Sequence, residues 1–483
     1  MKFLKHYPLI IFTLLFSFLT YVSWFKWGGL YTDTFQDMRA ASQLLEGRTL
    51  YSEVFWIFGP FIPYLFAFLY KIFGLKILVN ACIGILNTCI CSFFIYRLSR
   101  LFIKKQESIV CIVFFLCYFA FSCLVDNDTF NFIIPYTSSS TFLITYVTGS
   151  LFFFIKYLKT NKLVYILGYS LCLSFCFFIR INLAILCMAC FVFIHWLYCI
   201  FNKKRSIKYQ IFTVAFVVIG YNLIFLIIGN YDFLIKIFNI AFHSSSGQNY
   251  FDIYLSGMND PANNILFCFT SFFKYCLFLF FIFISVFFIT KKINSSKVVY
   301  TLCFITSTAL AMIYIQLYSI GAIVICFTPM LLSILLYCFY QSLKNKVVHF
   351  ELLTICIISL GLMSRILFFP YLYSYVFYLG IPALVCFFIF SHKLFFNLLK
   401  IKFELNKELY NFSVNIFLLC LCIAMINNSL FFYNRKTMPY KFNNTETIFF
   451  SDNLTNKVVL NAVEYIKKKI QKSDTLIAFP ESD

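Results

Sequence analysis

Residues 109–125 read IVCIVFFLCYFAFSCLV. The run carries no charge and does not alternate. A strand in a membrane barrel faces lipid on one side and the lumen on the other, so its hydrophobicity rises and falls with a period of two. Lipid offers no partner to an open backbone amide or carbonyl, so a continuous apolar run must close its own hydrogen bonds as a helix. Runs of this kind recur along the chain, at 7–25, 77–97, 109–125, 140–157, 163–179, 182–201, 209–229, 264–290, 298–317, 319–340, 351–369, 371–391 and 410–433. Most approach the roughly 20 residues that a helix needs to cross a bilayer. The fold class expected is an all-α polytopic membrane protein.

Composition agrees. Of 483 residues, 62% are hydrophobic and 12% charged, against about half apolar and a quarter charged in a soluble domain. The net charge of +20 does not point to nucleic acid, because the basic residues sit in short clusters between apolar runs, as cytoplasmic loops do. The 20 cysteines lie almost entirely inside apolar runs, for example Cys82, Cys89, Cys91, Cys420 and Cys422, and read as small packing residues. The outer loops carry none, so no disulfide framework is implied, and no CxxC pair near histidines suggests zinc. Lys2 and Lys5 before the first apolar run resemble a signal peptide. Trp24, Phe25 and Trp27 follow in place of a small-residue cleavage site, which reads as an uncleaved first span with an aromatic belt.

The stretch 55–74, FWIFGPFIPYLFAFLYKIFG, decides the topology. If it does not span, an inside N-terminus puts every strongly basic cluster inside: Arg97/Arg100/Lys104/Lys105, Lys156/Lys159/Lys162, Lys203/Lys204/Arg205/Lys208, Lys291/Lys292/Lys297, Lys344/Lys346 and Lys393/Lys400/Lys402/Lys407. If it spans, all of them fall outside, against the positive-inside rule. We therefore expect 55–74 to be interfacial or re-entrant within a first outer loop, 26–76, of a membrane domain covering 1–433. The remaining outer segments are 126–139, 230–263 and a tail, 434–483, with an amphipathic helix near 455–472 and a strand-like run Thr475–Phe479. That short α/β tail reads as an incomplete soluble domain outside the membrane.

The 19 acidic residues concentrate in the outer loops and avoid the spans, where an ion-driven transporter buries them. Asp33, Asp37, Glu46 and Glu53 lie in the first loop. Asp33, Asp37 and Glu53 are candidates for a catalytic carboxylate. Thr34 to Asp37 also fits a capping box, which accounts for Asp37 better than for Asp33. Asp126-Asn127-Asp128 can hold a divalent cation with open positions for phosphate, and short D-x-D matches are also common in loops; no other cofactor is expected. Arg180, Arg365 and Lys71 are basic residues near outer span ends. They suit a lipid phosphate or, equally, interfacial snorkelling. His243, in FHSSSGQNY, is the lone outer histidine, and a solvated loop residue would look the same.

The first loop also carries a pattern. Asp33-Thr34 opens an amphipathic helix, followed by Ala40-Ala41, Leu44-Leu45-Glu46-Gly47, Leu50-Tyr51-Ser52-Glu53, Gly59-Pro60 and Phe73-Gly74. This resembles membrane glycosyltransferases of the GT-C class, of the protein-mannosyltransferase-like and aminoarabinose-transferase-like kind. Phe130-Asn131 and Pro135-Tyr136-Thr137 are similar to a second stretch in some of these proteins. The chain departs from the aminoarabinose-transferase type at Phe58-Gly59-Pro60, where that type has Lys-Pro-Pro. The resemblance implies a GT-C-like bundle of about 13 transmembrane helices in a bacterial cytoplasmic membrane, N-terminus inside and C-terminus outside. It implies transfer of a sugar from a polyprenyl-phosphate donor to a lipid, glycan or protein acceptor at the outer face, with Asp33 as the first-loop acid and Tyr136 near the substrate. The rival reading is a lipid-linked oligosaccharide flippase or polymerase. Paired halves and polar spans would favour a flippase; neither stands out.

The charge argument makes a direct prediction. Single cysteines placed at Lys104 and Lys204, in a background without reactive thiols, should be labelled only from the cytoplasm, and cysteines at Asp33 and Lys467 only from outside. External labelling at position 104 would overturn the 13-span count and restore 55–74 as a true span.

Overall fold

The centre of the bundle is a helix rich in small hydroxylated residues, α6 (Ser138–Thr160), buried along most of its length. Its side chains explain how a polar sequence survives there. Thr145, Thr148 and Ser150 each return their hydroxyl to the carbonyl four residues back, so these three donors are not stranded. Small side chains let neighbouring backbones come close, and α6 packs on α4 (Ile77–Ser99) and α7 (Leu163–Ile179). The computed structural model describes residues 7–27, 35–126, 130–201, 212, 214–222, 253–254, 256–293, 295–345, 348–372, 375–400, 406–442 and 446–469.

In chain order, α1 (Tyr7–Ser23), α2 (Gln36–Leu45) and α3 (Phe61–Phe73) precede α4; α5 (Lys105–Phe115) runs on through a π-turn, Leu116–Ala120, before α6 and α7. Then come α8 (Ile181–Phe201), α9 (Pro261–Lys292), α10 (Ser296–Leu317), α11 (Phe327–Asn345) and α12 (Phe350–Met363). A single turn, Val376–Leu379, leads into α13 (Ile381–Ile389), which continues through a second π-turn, Phe390–Leu394, to Lys400. After α14 (Lys407–Arg435), strands β1 (Lys436–Phe442) and β2 (Glu446–Ser451) pair antiparallel, and α15 (Leu454–Lys469) follows.

Among the described residues, eight helical stretches are long and apolar enough to cross a membrane. Seven of them coincide with the expected spans 77–97, 140–157, 182–201, 264–290, 298–317, 319–340 and 410–433; the eighth, Ile381–Leu399, overlaps only the second half of the span expected at 371–391. The expected spans 7–25 and 163–179 are shorter apolar helices of 17 residues. Those at 109–125 and 351–369 are helices that end in a π-turn and a 3-10 turn, Ser364–Ile366. Most of 209–229, and the strand-like run at 475–479, lie outside the described residues.

The stretch 55–74 folds as α3, of 13 residues. Such a helix rises only ~20 Å, short of a ~30 Å hydrocarbon core. Both its ends meet the same end of the bundle. The Gly59 N–H donates to the Ile179 carbonyl (2.9 Å) where α7 stops. Past Gly74, the Ile77 and Leu78 N–H groups donate to the Glu446 carboxylate (2.7 and 3.0 Å) in β2, just beyond α14. Lysines gather at the opposite end: Lys104 pairs with Glu408 (2.9 Å), and Lys159 reaches the Leu101 carbonyl (3.4 Å).

The β-hairpin was not foreseen in the sequence. It closes over the Arg180 end, where Phe449 N–H donates to the Phe25 carbonyl (2.9 Å) and Lys436 Nζ to the Lys26 carbonyl (2.8 Å).

Two glycines mark where backbone approaches backbone. A Cβ at Gly59 would lie 2.1 Å from the Phe178 carbonyl oxygen, and one at Gly84 would lie 1.9 Å from that of Ile133. Gly47 has a positive φ of +86° but open space around it. Gly59→Ala should therefore unfold the protein at markedly lower temperature in detergent than Gly47→Ala. The first must push two chain segments apart, at a cost of about 1–3 kcal/mol or more; the second costs about 1 kcal/mol of backbone strain. Equal losses would show that the contact between 59 and α7 is not as close as described.

Candidate active site

Arg180 occupies the single-residue break between α7 and α8, with an extended backbone (φ −150°, ψ 99°). It is 5% exposed, which is costly for a cation unless partners surround it. They do. Nη1 donates to the Tyr378 hydroxyl (2.8 Å) and Nη2 to that of Tyr136 (3.3 Å). The guanidinium lies 4.0 Å from the centre of the Phe58 ring and 5.7 Å from that of Tyr378, within cation–π range. Its buried Nε has no hydrogen-bond partner among the described residues. Arginine is not deprotonated in proteins, so the site keeps one buried positive charge and one spare donor.

Phe58 is held in place by its own loop. The Tyr51 hydroxyl donates to the Phe58 carbonyl (2.7 Å), and Trp56 Nε1 to that of Gly59 (2.9 Å). The Gly59 contact with α7 holds the 51–60 segment against Arg180. On the other side, Tyr136 lies between Arg180 and Tyr375, whose ring is 5.7 Å away. The half-buried Arg365 covers the Tyr375 ring at 4.8 Å. Burial pushes the Tyr136 phenol above its ordinary pKa while the Arg180 charge pulls it down. It stays a neutral hydroxyl, donor and acceptor at once. The Ser140 hydroxyl approaches it at 3.3 Å.

Ser140 belongs to the first turn of α6, and the same turn brings in an acid. The Ser138 N–H donates to Asp37 Oδ2 (2.7 Å), and the Thr137 hydroxyl accepts from the Ser139 N–H (3.3 Å). Asp37 is 1% exposed. Carboxylates are stabilised at the positive end of a helix. Asp37 does this for α6 from the first turn of α2, which starts at Gln36; Thr34, the other end of the expected capping box, lies outside the described residues.

The remaining candidates separate. Glu53 is exposed, and its carboxylate accepts the Thr49 N–H (2.6 Å) within its own turn. Lys71 sits exposed in the last turn of α3, ~16 Å along the helix axis from Pro60. Asp126 Oδ2 pairs with Arg435 (3.2 Å), and its backbone carbonyl accepts the Ser451 hydroxyl (3.0 Å). Its buried Oδ1 has no partner among the described residues. Asp33, Asp128 and His243 lie outside the described residues. Among the described residues no group of three or more His, Cys, Asp and Glu side chains converges as a metal site.

Thus Arg180, Tyr136, Arg365 and, through the first turn of α6, Asp37 come together at one end of the bundle. Reading the sequence missed Phe58, Tyr375 and Tyr378. The signal for the two tyrosines was present in PYLYSYVFYL, 370–379, where four tyrosines, at 371, 373, 375 and 378, cluster just after Arg365.

No protein-family model matches the sequence, and no curated protein matches it as a relative. Solved structures do. The apo crystal structure of the Archaeoglobus fulgidus oligosaccharyltransferase superposes with a TM-score of 0.53 and 10% identity, over 97% of this chain and 59% of that one. The archaeal oligosaccharyltransferase AglB from the same organism, in complex with an inhibitory peptide and a dolichol-phosphate, gives 0.53 and 10%, over 98% of this chain and 59% of that one. The chain thus spans about three-fifths of the length of these proteins. At 10% identity the likeness is one of fold, and the polytopic bundle described above is shared with a membrane glycosyltransferase.

Proposed function

We propose that this chain is a membrane glycosyltransferase that moves a sugar from a polyprenyl-phosphate donor to a lipid, glycan or protein acceptor at the outer face of the membrane. One observation carries the reading: a fully enclosed arginine with an unpaired Nε stands at a helix break beside the start of α6. A membrane protein that only needs an anchor places arginine at the rim, where water reaches it. Burying the charge among hydroxyls suits an anion that brings its own lipid tail. The fold likeness to an oligosaccharyltransferase solved with a dolichol-phosphate supports the same class of donor.

In this reading the donor phosphate meets Arg180 through Nε, with Arg365 as the outer cation and Tyr136 and Tyr378 fixing the guanidinium plane. Phosphate leaves with its charge stabilised by a positive group already in place. The acceptor hydroxyl needs a carboxylate to take its proton. Asp33 is the residue we assign to that step, because Asp37 is committed to the Ser138 N–H and holds the loop in position; Glu53 is the second acid. Lys71 and His243 are assigned to the approach of the acceptor. A divalent cation would be held by Asp126 and Asp128, where Asp126 Oδ1 lacks a partner, although Arg435 competes for the same carboxylate. Bound there, it would supply positive charge to the phosphate.

The test is sugar transfer in reconstituted membranes, followed by mass spectrometry of polyprenyl-phosphate sugars and surface glycans. Asp33→Asn should lower the rate by about 10²–10⁴, as loss of a general base does. Asp37→Asn should instead lower the unfolding temperature. Normal transfer by Asp33→Asn alongside a folded but dead Asp37→Asn would reverse the assignment.

Arg180→Gln should lower transfer by roughly 10- to 100-fold, the worth of a charge-assisted hydrogen bond of about 1.5–3 kcal/mol. Tyr378→Phe, which removes one of its supports, should cost less. Full activity in Arg180→Gln would remove the phosphate from this site.

A further inference from the structure

At the lysine end, far from Arg180, the start of α5 and the first turns of α10 and α14 enclose a cavity of about 460 Å³. Its wall includes Lys104, Lys105 and Gln106 at the N-terminus of α5, with Glu107, Glu408 and Asn411. Two of these are buried: Glu107 is 3% exposed and Asn411 5%. The Glu107 carboxylate accepts the Lys104 N–H (2.7 Å) and an N–H of the Asn411 amide. That second bond fixes which way the amide points, since only its nitrogen can donate to a carboxylate. Asn411 Oδ1 is therefore an acceptor, and it has no partner among the described residues.

The cavity makes two opposite demands. A helix N-terminus flanked by two lysines attracts an anion. The orphaned carbonyl oxygen of Asn411, next to the buried Glu107 carboxylate, requires a donor and favours a positive one. Formal charges on the wall cancel: Lys104 and Lys105 against Glu107 and Glu408. A simple anion would satisfy the rim and leave Asn411 empty, and a simple cation would do the reverse. Tyr300 and Phe412, whose rings meet edge to face at 5.2 Å, line the same cavity. Tyr300 is 43% exposed, which leaves an apolar ring open beside the cavity.

The geometry points to a site for a phosphoethanolamine group, the headgroup of a zwitterionic phospholipid. Its ammonium donates to Asn411 Oδ1 beside Glu107, and its phosphate lies at Lys105 and the start of α5. The assignment rests on the fold and is independent of glycosyl transfer.

Purified full-length protein in detergent can be titrated separately with phosphatidylethanolamine, phosphatidylcholine and phosphatidylglycerol of matched chains, and retained lipid counted by native mass spectrometry. Phosphatidylethanolamine should be retained at least about tenfold better than phosphatidylcholine, whose methylated nitrogen cannot donate a hydrogen bond to Asn411. Asn411→Leu should abolish the difference. Because that change also strips Glu107 of a partner, Lys105→Ala, which leaves the Glu107–Asn411 bond in place, is the second variant; it should weaken retention of all phosphate-bearing lipids. Soluble glycerophosphoethanolamine that displaces the lipid at equal concentration would assign the site to a soluble phosphoethanolamine compound; failure to displace it assigns the site to the lipid. Equal retention of the ethanolamine and choline lipids, a preference for phosphatidylglycerol, unaltered selectivity in Asn411→Leu, or unaltered retention in Lys105→Ala would overturn the proposal.

Discussion

The hydrogen bond from the Ser138 N–H to the Asp37 carboxylate (2.7 Å) is the constraint on which the Arg180 end is built. The first amides of a helix have no partner within it, and the start of α6 is enclosed on all sides. With no water at hand, each amide must be met by another part of the chain. The Thr137 hydroxyl meets one and Asp37 the other. Meeting that need draws α2, and α3 behind it, against the bundle. It also fixes the turn that carries Ser140, and hence Tyr136 and Arg180. The same carboxylate that could have been read as a reactive group is thus the anchor of a loop. Its burial is tolerated because a helix terminus supplies the compensating positive potential.

Much of the helical layout was legible, and the reason is physical. In lipid the backbone has few ways to close its hydrogen bonds, so hydropathy maps almost directly onto helices. The span expected at 163–179 is α7, residue for residue, and that expected at 77–97 is α4 with two more residues. Charge alone separated 55–74 from the rest, in keeping with a short α3 whose two ends meet the same end of the bundle. What could not be read is non-local. Asp37 and Ser138 are 101 residues apart, and nothing in the local pattern of either names the other; the local pattern of Asp37 suggested a cap for its own helix. Tyr375 and Tyr378 were absorbed into a span because aromatic residues at a membrane edge usually serve as a belt. The β-hairpin escaped because its strand KTMPYKF, 436–442, is polar and contains a proline, and its pairing depends on the turn and on the surface beneath it.

Arg180 and the lysine pair at the opposite end occupy surroundings that fit their chemistry. Arg180 is enclosed by rings and hydroxyls, where a planar, weakly hydrated cation does well. The lysines of the opposite end keep their ammonium groups toward water, as the exposed Lys104–Glu408 pair does. Burial on one side and hydration on the other let one chain hold many positive charges without crowding them. The π-turn at 116–120 ends its helix, and the one at 390–394 leads on to Lys400. In the second, His392 is turned into the bundle, where its Nε2 meets Asn415 at 2.9 Å.

The Glu446 carboxylate closes a ring in the chain. It meets the first amides of α4, residues that precede it by 369 positions. At translation rates of roughly 5–20 residues per second, those amides emerge about 20–70 seconds before the group that receives them. During that interval the first amides of α4 lack this partner. The Arg180 end is therefore finished last, after α14 has been inserted and the hairpin has crossed to the same side. A nascent chain stalled before residue 446 would present α4 with its first amides unmet, giving the membrane's quality-control proteases a physical mark by which an unfinished molecule differs from a complete one.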